Sequence, residues 1–238
     1  MSHLAINGLH AGYEKGVEIL KGIDIDIRDG EVLGVVGLNG SGKSTFGKAV
    51  MNLLPYRSGA FVLDGKDISG LAAQDLSRLG IAIMRQGGQV FLTMTVKENL
   101  DIAFGSTGES AYRRKISDMI PLLRGNEKGV LHRSADKLSG GQRHELALAM
   151  ALATQPSLMV LDEPSAGLSP VAVEQMYALL TEVRRSLNMT LILIEQNINK
   201  AISFCDRCVL LSQGTIRKEF SGMGEVEMRN AIMTELGL

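Results

Sequence analysis

The segment Gly37-Leu38-Asn39-Gly40-Ser41-Gly42-Lys43-Ser44-Thr45 limits what this chain can fold into more than any other stretch. Its spacing, G-x-x-x-x-G-K-[ST], follows an apolar run from Val32 to Val36 and precedes a helical pattern from about Lys43 to Leu53, stopped near Pro55. Strand, loop and helix in that order set a curled backbone above a helix N-terminus. The glycines let successive N–H groups point inward, and the helix end adds partial positive charge, so the loop suits phosphate. Candidate phosphate contacts are Gly37, Asn39, Gly40, Ser41, Gly42, Lys43, Ser44 and Thr45. In such a loop the lysine bridges the β- and γ-phosphates of a nucleotide, and the Ser44 hydroxyl serves Mg²⁺.

A second apolar run, Leu158-Met159-Val160-Leu161, ends in two carboxylates, Asp162 and Glu163. With the phosphate loop upstream, Asp162 is expected beside the magnesium, through water, and Glu163 beside the γ-phosphate. Glu163 is then the group that polarises an attacking water. A positioned general base commonly contributes about 10²–10⁴ in rate.

Between and around these motifs strands alternate with helices. Ile23, Ile25 and Ile27 alternate up to Asp29-Gly30, and Ala60 to Asp64 and Ile81 to Met84 read as further strands around a short helix from about Ala72. The middle is different: Ile116, Met119, Ile120 and Leu123 recur at helical spacing within 110–123, interrupted by Pro121, and a second helix runs from about Gly141 to Ala153. Afterwards come a helix from Val171 to Leu187, entered through Pro170, and a strand from Thr190 to Ile194. A helix from Asn197 to Phe204, a hairpin around Gln213-Gly214 and a small helix from Glu225 to Leu236 close the chain. The pattern predicts one α/β domain over 1–238. Its core is that of a P-loop NTPase with a mainly parallel sheet and an antiparallel N-terminal β portion, and a helical subdomain of about residues 87–155 is inserted.

Composition narrows the partners. There are 25 basic and 26 acidic side chains, net charge -1, without the basic surplus that nucleic-acid binding calls for, so no nucleic-acid partner is expected. No apolar run nears the roughly 20 residues of a membrane span. The start, MSHLAINGLHAGYEKG, lacks the basic and apolar regions of a signal peptide, so a cytoplasmic chain reaching a membrane only through partners is expected. Cys205 and Cys208, three apart, supply half of a typical zinc site and read as two buried thiols between a helix and a strand.

Leu138-Ser139-Gly140-Gly141-Gln142, about twenty residues before the Asp162-Glu163 strand, narrows the reading to a family. With the phosphate loop upstream, the whole chain resembles the nucleotide-binding subunit of an ATP-binding cassette (ABC) transporter. The resemblance implies two ATPs sandwiched between two head-to-tail subunits. Ser139, Gly140, Gly141 and Gln142 of one would meet the γ-phosphate held by the other. It places Tyr13 against adenine, Gln86 near Mg²⁺ and water, and Ser165-Ala166-Gly167-Leu168 across the dimer interface, without the usual aspartate. Gln196 stands where most relatives carry histidine. Its amide can donate to phosphate or accept from water but cannot become a cation. Lys43, Gln86, Glu163 and Gln196 are thus the implied catalytic set, and Ser44, Gln86 and Asp162 the implied metal set.

The stretches Asp162-Glu163-Pro164-Ser165-Ala166-Gly167-Leu168-Ser169-Pro170, Ile194-Glu195-Gln196-Asn197 and Gln86-Gly87-Gly88-Gln89-Val90-Phe91 resemble the F-type ATPase subunit of bacterial branched-chain amino-acid importers. Those relatives generally carry glutamate at the place of Gln86. The resemblance implies a second ATPase subunit, identical or paralogous, two membrane permease subunits and an external substrate-binding protein, with the chain peripheral on the cytoplasmic side of the cell membrane. Alternatives are the ATPase of another ABC transporter, or a soluble ABC ATPase of the iron–sulfur assembly type.

Overall fold

The computed structural model describes residues 2–105, 110–123 and 129–237. The chain opens with strands β1 (Leu4–Gly12) and β2 (Leu20–Ile27), then β3 (Val32–Val36), the phosphate loop and helix α1 (Lys43–Val50). Strands β4 (Tyr56–Leu63) and β5 (Lys66–Asp67), helix α2 (Ala73–Arg78) and strand β6 (Ile81–Met84) follow. Helices α3 (Val96–Phe104), α4 (Ser110–Met119) and α5 (Gly140–Leu152) make the helical subdomain. The core resumes with β7 (Leu158–Asp162), α6 (Pro170–Leu187), β8 (Thr190–Ile194), α7 (Ile198–Phe204), β9 (Arg207–Ser212), β10 (Thr215–Ser221) and α8 (Glu225–Leu236).

Two sheets result. One is antiparallel, in the order β2-β1-β4-β5; the other has the order β10-β9-β3-β8-β7-β6, parallel except for the β9–β10 hairpin. The apolar runs of β3, β7 and β8 are explained by what lies on each side of the six-stranded sheet. In β8, Leu191 and Leu193 join the core shared with α5, α6 and the helical subdomain, whereas Ile192 and Ile194 join the core shared with α1 and the antiparallel sheet. In β7, Met159 and Leu161 face the first core, and Leu158 and Val160 the second. Side chains alternate faces, so a strand covered on both sides must be apolar throughout.

Several element ends differ from the sequence reading, each for a local reason. Helix α1 stops at Val50, three residues before the expected Leu53, because Asn52 takes a left-handed conformation (φ 50°). Strand β4 begins at Tyr56 rather than Ala60, since its first half pairs with β1. Pro121 ends the middle helix: α4 stops at Met119 and a single 3₁₀ turn covers Pro121–Leu123. Helix α3 went unassigned from sequence, although Thr95 and Glu98 form a reciprocal capping box at its start. Within it, fully buried Asn99 pins the preceding loop: it accepts from Phe91 N at 2.8 Å and donates to Phe91 O at 3.0 Å and Thr95 O at 2.9 Å. Cys205 caps α7 and Cys208 lies in β9, both free thiols packed against Gly34 of β3.

A buried ion pair between Arg207 of β9 and Glu31, just before β3, holds a guanidinium that also reaches β2 of the antiparallel sheet. Arg207 Nε donates to Glu31 Oε1 at 2.6 Å with both side chains 6% exposed, and its other nitrogens reach Glu219 Oε2 at 2.8 Å and Asp26 O at 2.5 Å. Burial alone pushes the Glu31 carboxyl up; the Arg207 guanidinium and the Arg28 amide outweigh it and hold the group below its ordinary range. This stabilisation is present above the ordinary carboxylate range and is lost as pH falls through the lowered value. Removing one partner leaves the other charge buried and unpaired. Arg207→Ala is expected to cost about 3–5 kcal/mol, lowering the thermal midpoint by about 2–4 °C per kcal/mol. Calorimetry at neutral pH checks this; a midpoint unchanged from wild type would show that the pair does not stabilise the fold.

Candidate active site

The site lies where the parallel strands end. Strand β3 runs into the phosphate loop, β7 into Asp162-Glu163, β8 into Glu195-Gln196 and β6 into Arg85-Gln86. Pairing of Met84 with Leu161, of Asp162 with Ile194 and of Val35 with Ile194 keeps these ends level. Ligands in open α/β sheets bind at this carboxyl edge.

The loop conformation needs its glycines. A Cβ at Gly37 would lie 2.2 Å from Leu211 O, and Gly42, the residue before α1, has φ 108°. With the loop so drawn in, Lys43 is 5% exposed and its ammonium donates to Gly37 O at 2.8 Å and Leu38 O at 3.0 Å. Burial pulls the Lys43 ammonium below its ordinary pKa, opposed by the charges of Glu163, Asp162 and Glu195. Ser41 Oγ, buried beside Gly37, has no hydrogen-bond partner among the described residues.

The two carboxylates are already engaged. Ser44 donates from Oγ to Asp162 Oδ1 at 3.0 Å, and Gln86 donates from Nε2 to Glu163 Oε2 at 2.8 Å. Burial raises the Asp162 carboxyl above its ordinary value, against the Ser44 hydrogen bond and the positive charges of Lys48, Arg85 and Lys43. Glu163 is raised by burial and by the Asp162 charge, against Lys43. Its backbone is left-handed (φ 48°), held by Glu163 N–H donating to Ile194 O at 2.9 Å. A non-glycine residue held there stores strain of about 1–3 kcal/mol, and such outliers gather at active sites.

A cleft of ≈ 470 Å³ is lined by Ile19, Asn39, Gly40, Gly42, Lys43, Ser44, Thr45, Gln86, Glu163 and Gln196. The structure therefore brings Lys43, Ser44, Gln86, Glu163 and Gln196 to one cavity, with Asp162 joined through Ser44. Tyr13, 48% exposed, stands beside α1: Lys48 donates to its hydroxyl at 2.9 Å and lies 5.0 Å from its ring centre. Ile19 had no sequence signal, being one aliphatic residue ahead of a strand.

Ser139, Gly140, Gly141 and Gln142 are not in this cleft. They start α5: Ser139 Oγ accepts from Gln142 N at 3.2 Å, and Gln142 Oε1 accepts from Ser139 N at 3.0 Å. Cβ atoms at Gly140 and Gly141 would meet Leu168 and Ala172 at 3.7 and 3.6 Å, ordinary contact distances. Packing within the chain gives no reason for two glycines there.

Comparison with known proteins bears on what such a site does. Residues 20–166 match the family model described as ABC transporter. The chain is 38% identical over 211 residues to a probable branched-chain amino acid transport ATP-binding protein, LivF, of Archaeoglobus fulgidus, covering 87% of each chain. It is 32% identical over 245 residues to the energy-coupling factor transporter ATP-binding protein EcfA2 of Acetivibrio thermocellus, covering 99% of this chain and 85% of that one. Among solved structures, a nucleotide-free ATP-binding cassette from an ABC transporter superposes with TM-score 0.85 at 26% identity, over 100% of this chain and 99% of the other.

The raised Asp162 carboxyl makes its charged form a liability to the metal-free chain. For an acid raised on folding, the penalty is absent below its unfolded pKa and is fully present above the raised value. With metal chelated, Asp162→Asn, which can still accept from Ser44, is expected to raise the thermal midpoint near pH 7. The gain should vanish as pH falls through the carboxylate range. A midpoint lowered at pH 7 would contradict the assigned desolvation.

Proposed function

The chain belongs to the ABC transporter family, and on that premise we propose that it hydrolyses ATP with Mg²⁺ to drive uptake of branched-chain or other hydrophobic amino acids. The observation that carries the ATPase reading is the Glu163 carboxylate held by Gln86 in the same cleft as Lys43. Loop N–H groups, the start of α1 and the Lys43 ammonium hold the phosphates. The unpartnered Ser41 hydroxyl is a further donor suited to a phosphate oxygen.

Ser44 and Asp162, with the Gln86 side-chain oxygen, form a hard oxygen set of the kind Mg²⁺ takes, and they would hold it. When bound, that ion neutralises charge on the β- and γ-phosphate oxygens. Glu163, its proton affinity raised, accepts a proton from the water that attacks the γ-phosphorus. The new P–O bond forms as the bond to the bridging oxygen breaks, leaving ADP and phosphate. Gln86, donating to Glu163 beforehand, competes with that water for the carboxylate oxygen. Gln196 orients the water or the γ-phosphate through its amide, without carrying a proton. Tyr13 offers its ring to adenine, worth about 0.5–1.5 kcal/mol.

Ser139, Gly140, Gly141 and Gln142 complete the site of a second subunit, identical or paralogous. Their place outside this chain's own cleft, and glycines that packing within the chain does not require, support that reading. Two permease subunits and an external binding protein would complete the assembly, with this chain at the cytoplasmic face of the membrane. The amino-acid cargo rests on the higher identity to the branched-chain relative than to the energy-coupling factor one.

Mg²⁺-dependent phosphate release, measured over a range of protein concentrations, is expected to rise more than linearly with protein. Glu163→Gln should lower it by about 10²–10⁴ while ATP still binds. Release that stays proportional to protein, or survives Glu163→Gln, would overturn the dimeric mechanism. For cargo, cells whose only copy carries Glu163→Gln should lose most high-affinity uptake of radiolabelled leucine, isoleucine and valine. Unchanged uptake of all three would exclude these substrates.

A further inference from the structure

Glu195 has no part in the chemistry above, yet it is 2% exposed beside the site, at the first position after β8. Its backbone N–H donates to Val35 O at 3.2 Å, fastening it to β3. Three donors converge on its side chain. The Tyr177 hydroxyl donates to Oε1 at 3.0 Å, the Ser165 hydroxyl donates to the same oxygen, and Asn197 N–H donates to Oε2 at 3.0 Å. With both oxygens engaged, the carboxylate has a single orientation. Burying an anion carries a desolvation cost that an apolar side chain of similar size does not.

Each donor belongs to a different segment. Ser165 lies two residues after Glu163, in the turn closed by Ala166 N–H donating to Glu163 O at 3.1 Å. Asn197 N–H belongs to the peptide that follows Gln196, and the Asn197 side chain caps α7 by accepting from Lys200 N at 3.2 Å. Tyr177 sits on α6, its ring edge-on to Phe204 of α7 at 5.4 Å. Gln196 is exposed at the cleft, so its direction is set by the backbone that Glu195 grips.

We propose that Glu195 is a positioning residue for ATP hydrolysis: its buried carboxylate locks the backbone of Gln196 to the turn that carries Glu163, so both side chains meet the γ-phosphate in one fixed geometry. The proposal rests on the roles given above to Glu163 and Gln196. Through Ser165, it also joins the segment facing the second subunit to the water-orienting residue. Tyr177 completes the grip from the helix behind.

Phosphate release and binding of a fluorescent ATP analogue test it in wild type, Glu195→Gln, Gln196→Ala and the double variant. Glu195→Gln keeps the volume and can accept from Tyr177 and Ser165, but its amide nitrogen cannot accept from Asn197 N–H. Its kcat should fall about tenfold to a hundredfold, with KM and nucleotide affinity within about twofold of wild type. In the Gln196→Ala background, Glu195→Gln should cause a smaller fall than in wild type, because only the part of its effect that acts through the Glu163 turn remains. A folded Glu195→Gln with wild-type kcat, or losses that multiply in the double variant, would overturn the proposal. So would kcat and affinity falling together with the folded fraction. Amide exchange in the nucleotide-free chain gives a second readout independent of turnover: Glu195→Gln should speed exchange at Asn197 and Ala166 together. If wild type releases no phosphate, the ATPase reading fails. Exchange at Asn197 and Ala166 unchanged by the substitution would instead defeat the lock itself.

Discussion

Everything in this structure depends on strands that must stay apolar on both faces. Between two cores, β3, β7 and β8 carry no charge along their length and, apart from Thr190 at the start of β8, polar groups appear where the strands run out. Because the strands are parallel and level, they all run out at the same edge. A phosphate loop, Glu163 and Gln196 are thereby collected within one cleft, with Asp162 joined through Ser44, although they lie far apart in sequence. The helical subdomain and the antiparallel sheet serve the same end, since each supplies apolar cover to one face of that ladder.

The electrostatics of the edge run against simple attraction. Lys43 is the cation buried there, and it is already turned toward two loop carbonyls, while Asp162, Glu163 and Glu195 surround it with acid. These acids offset the charge that Lys43 offers a polyphosphate, with Lys48 and Arg85 also acting on Asp162. Oriented N–H groups at the start of α1 add a favourable field, and the proposed Mg²⁺ would offset the carboxylates. That balance also explains why Asp162 and Glu163 hold their protons more tightly than ordinary carboxyls: burial is met by too little nearby positive charge.

Much of this architecture was readable before any coordinates, for a physical reason. Doubly covered strands announce themselves as unbroken apolar runs, and the phosphate loop forces a strand before it and a helix after it. Where local signals compete, reading was poorer. Helix α3 carried its start signal in Thr95 and Glu98, and Val96, Leu100 and Phe104 recur at helical spacing, but its nine residues are too short a window for that period to stand out. The end of α1 turned on a left-handed Asn52, which composition does not mark. The pairing of β1 with β4 spans some fifty residues and depends on tertiary contact. At the site, the strand-end residues were legible because their motifs fix their places. Ile19 and the burial of Glu195 were not, because a glutamate after an apolar strand looks like a solvated end until Tyr177 and Ser165 are seen to cover it.

The left-handed backbone at Glu163 has a consequence for anyone engineering this protein. Glycine and asparagine tolerate that conformation better than glutamate does, so the position is a point where rigidity and turnover pull in opposite directions. On the proposed role of Glu163, selection for heat resistance alone would reward variants that relax residue 163 at the expense of turnover. Laboratory evolution of this chain therefore has to score turnover in every round, because at this one residue the most comfortable main chain is the one that has given up the proposed base.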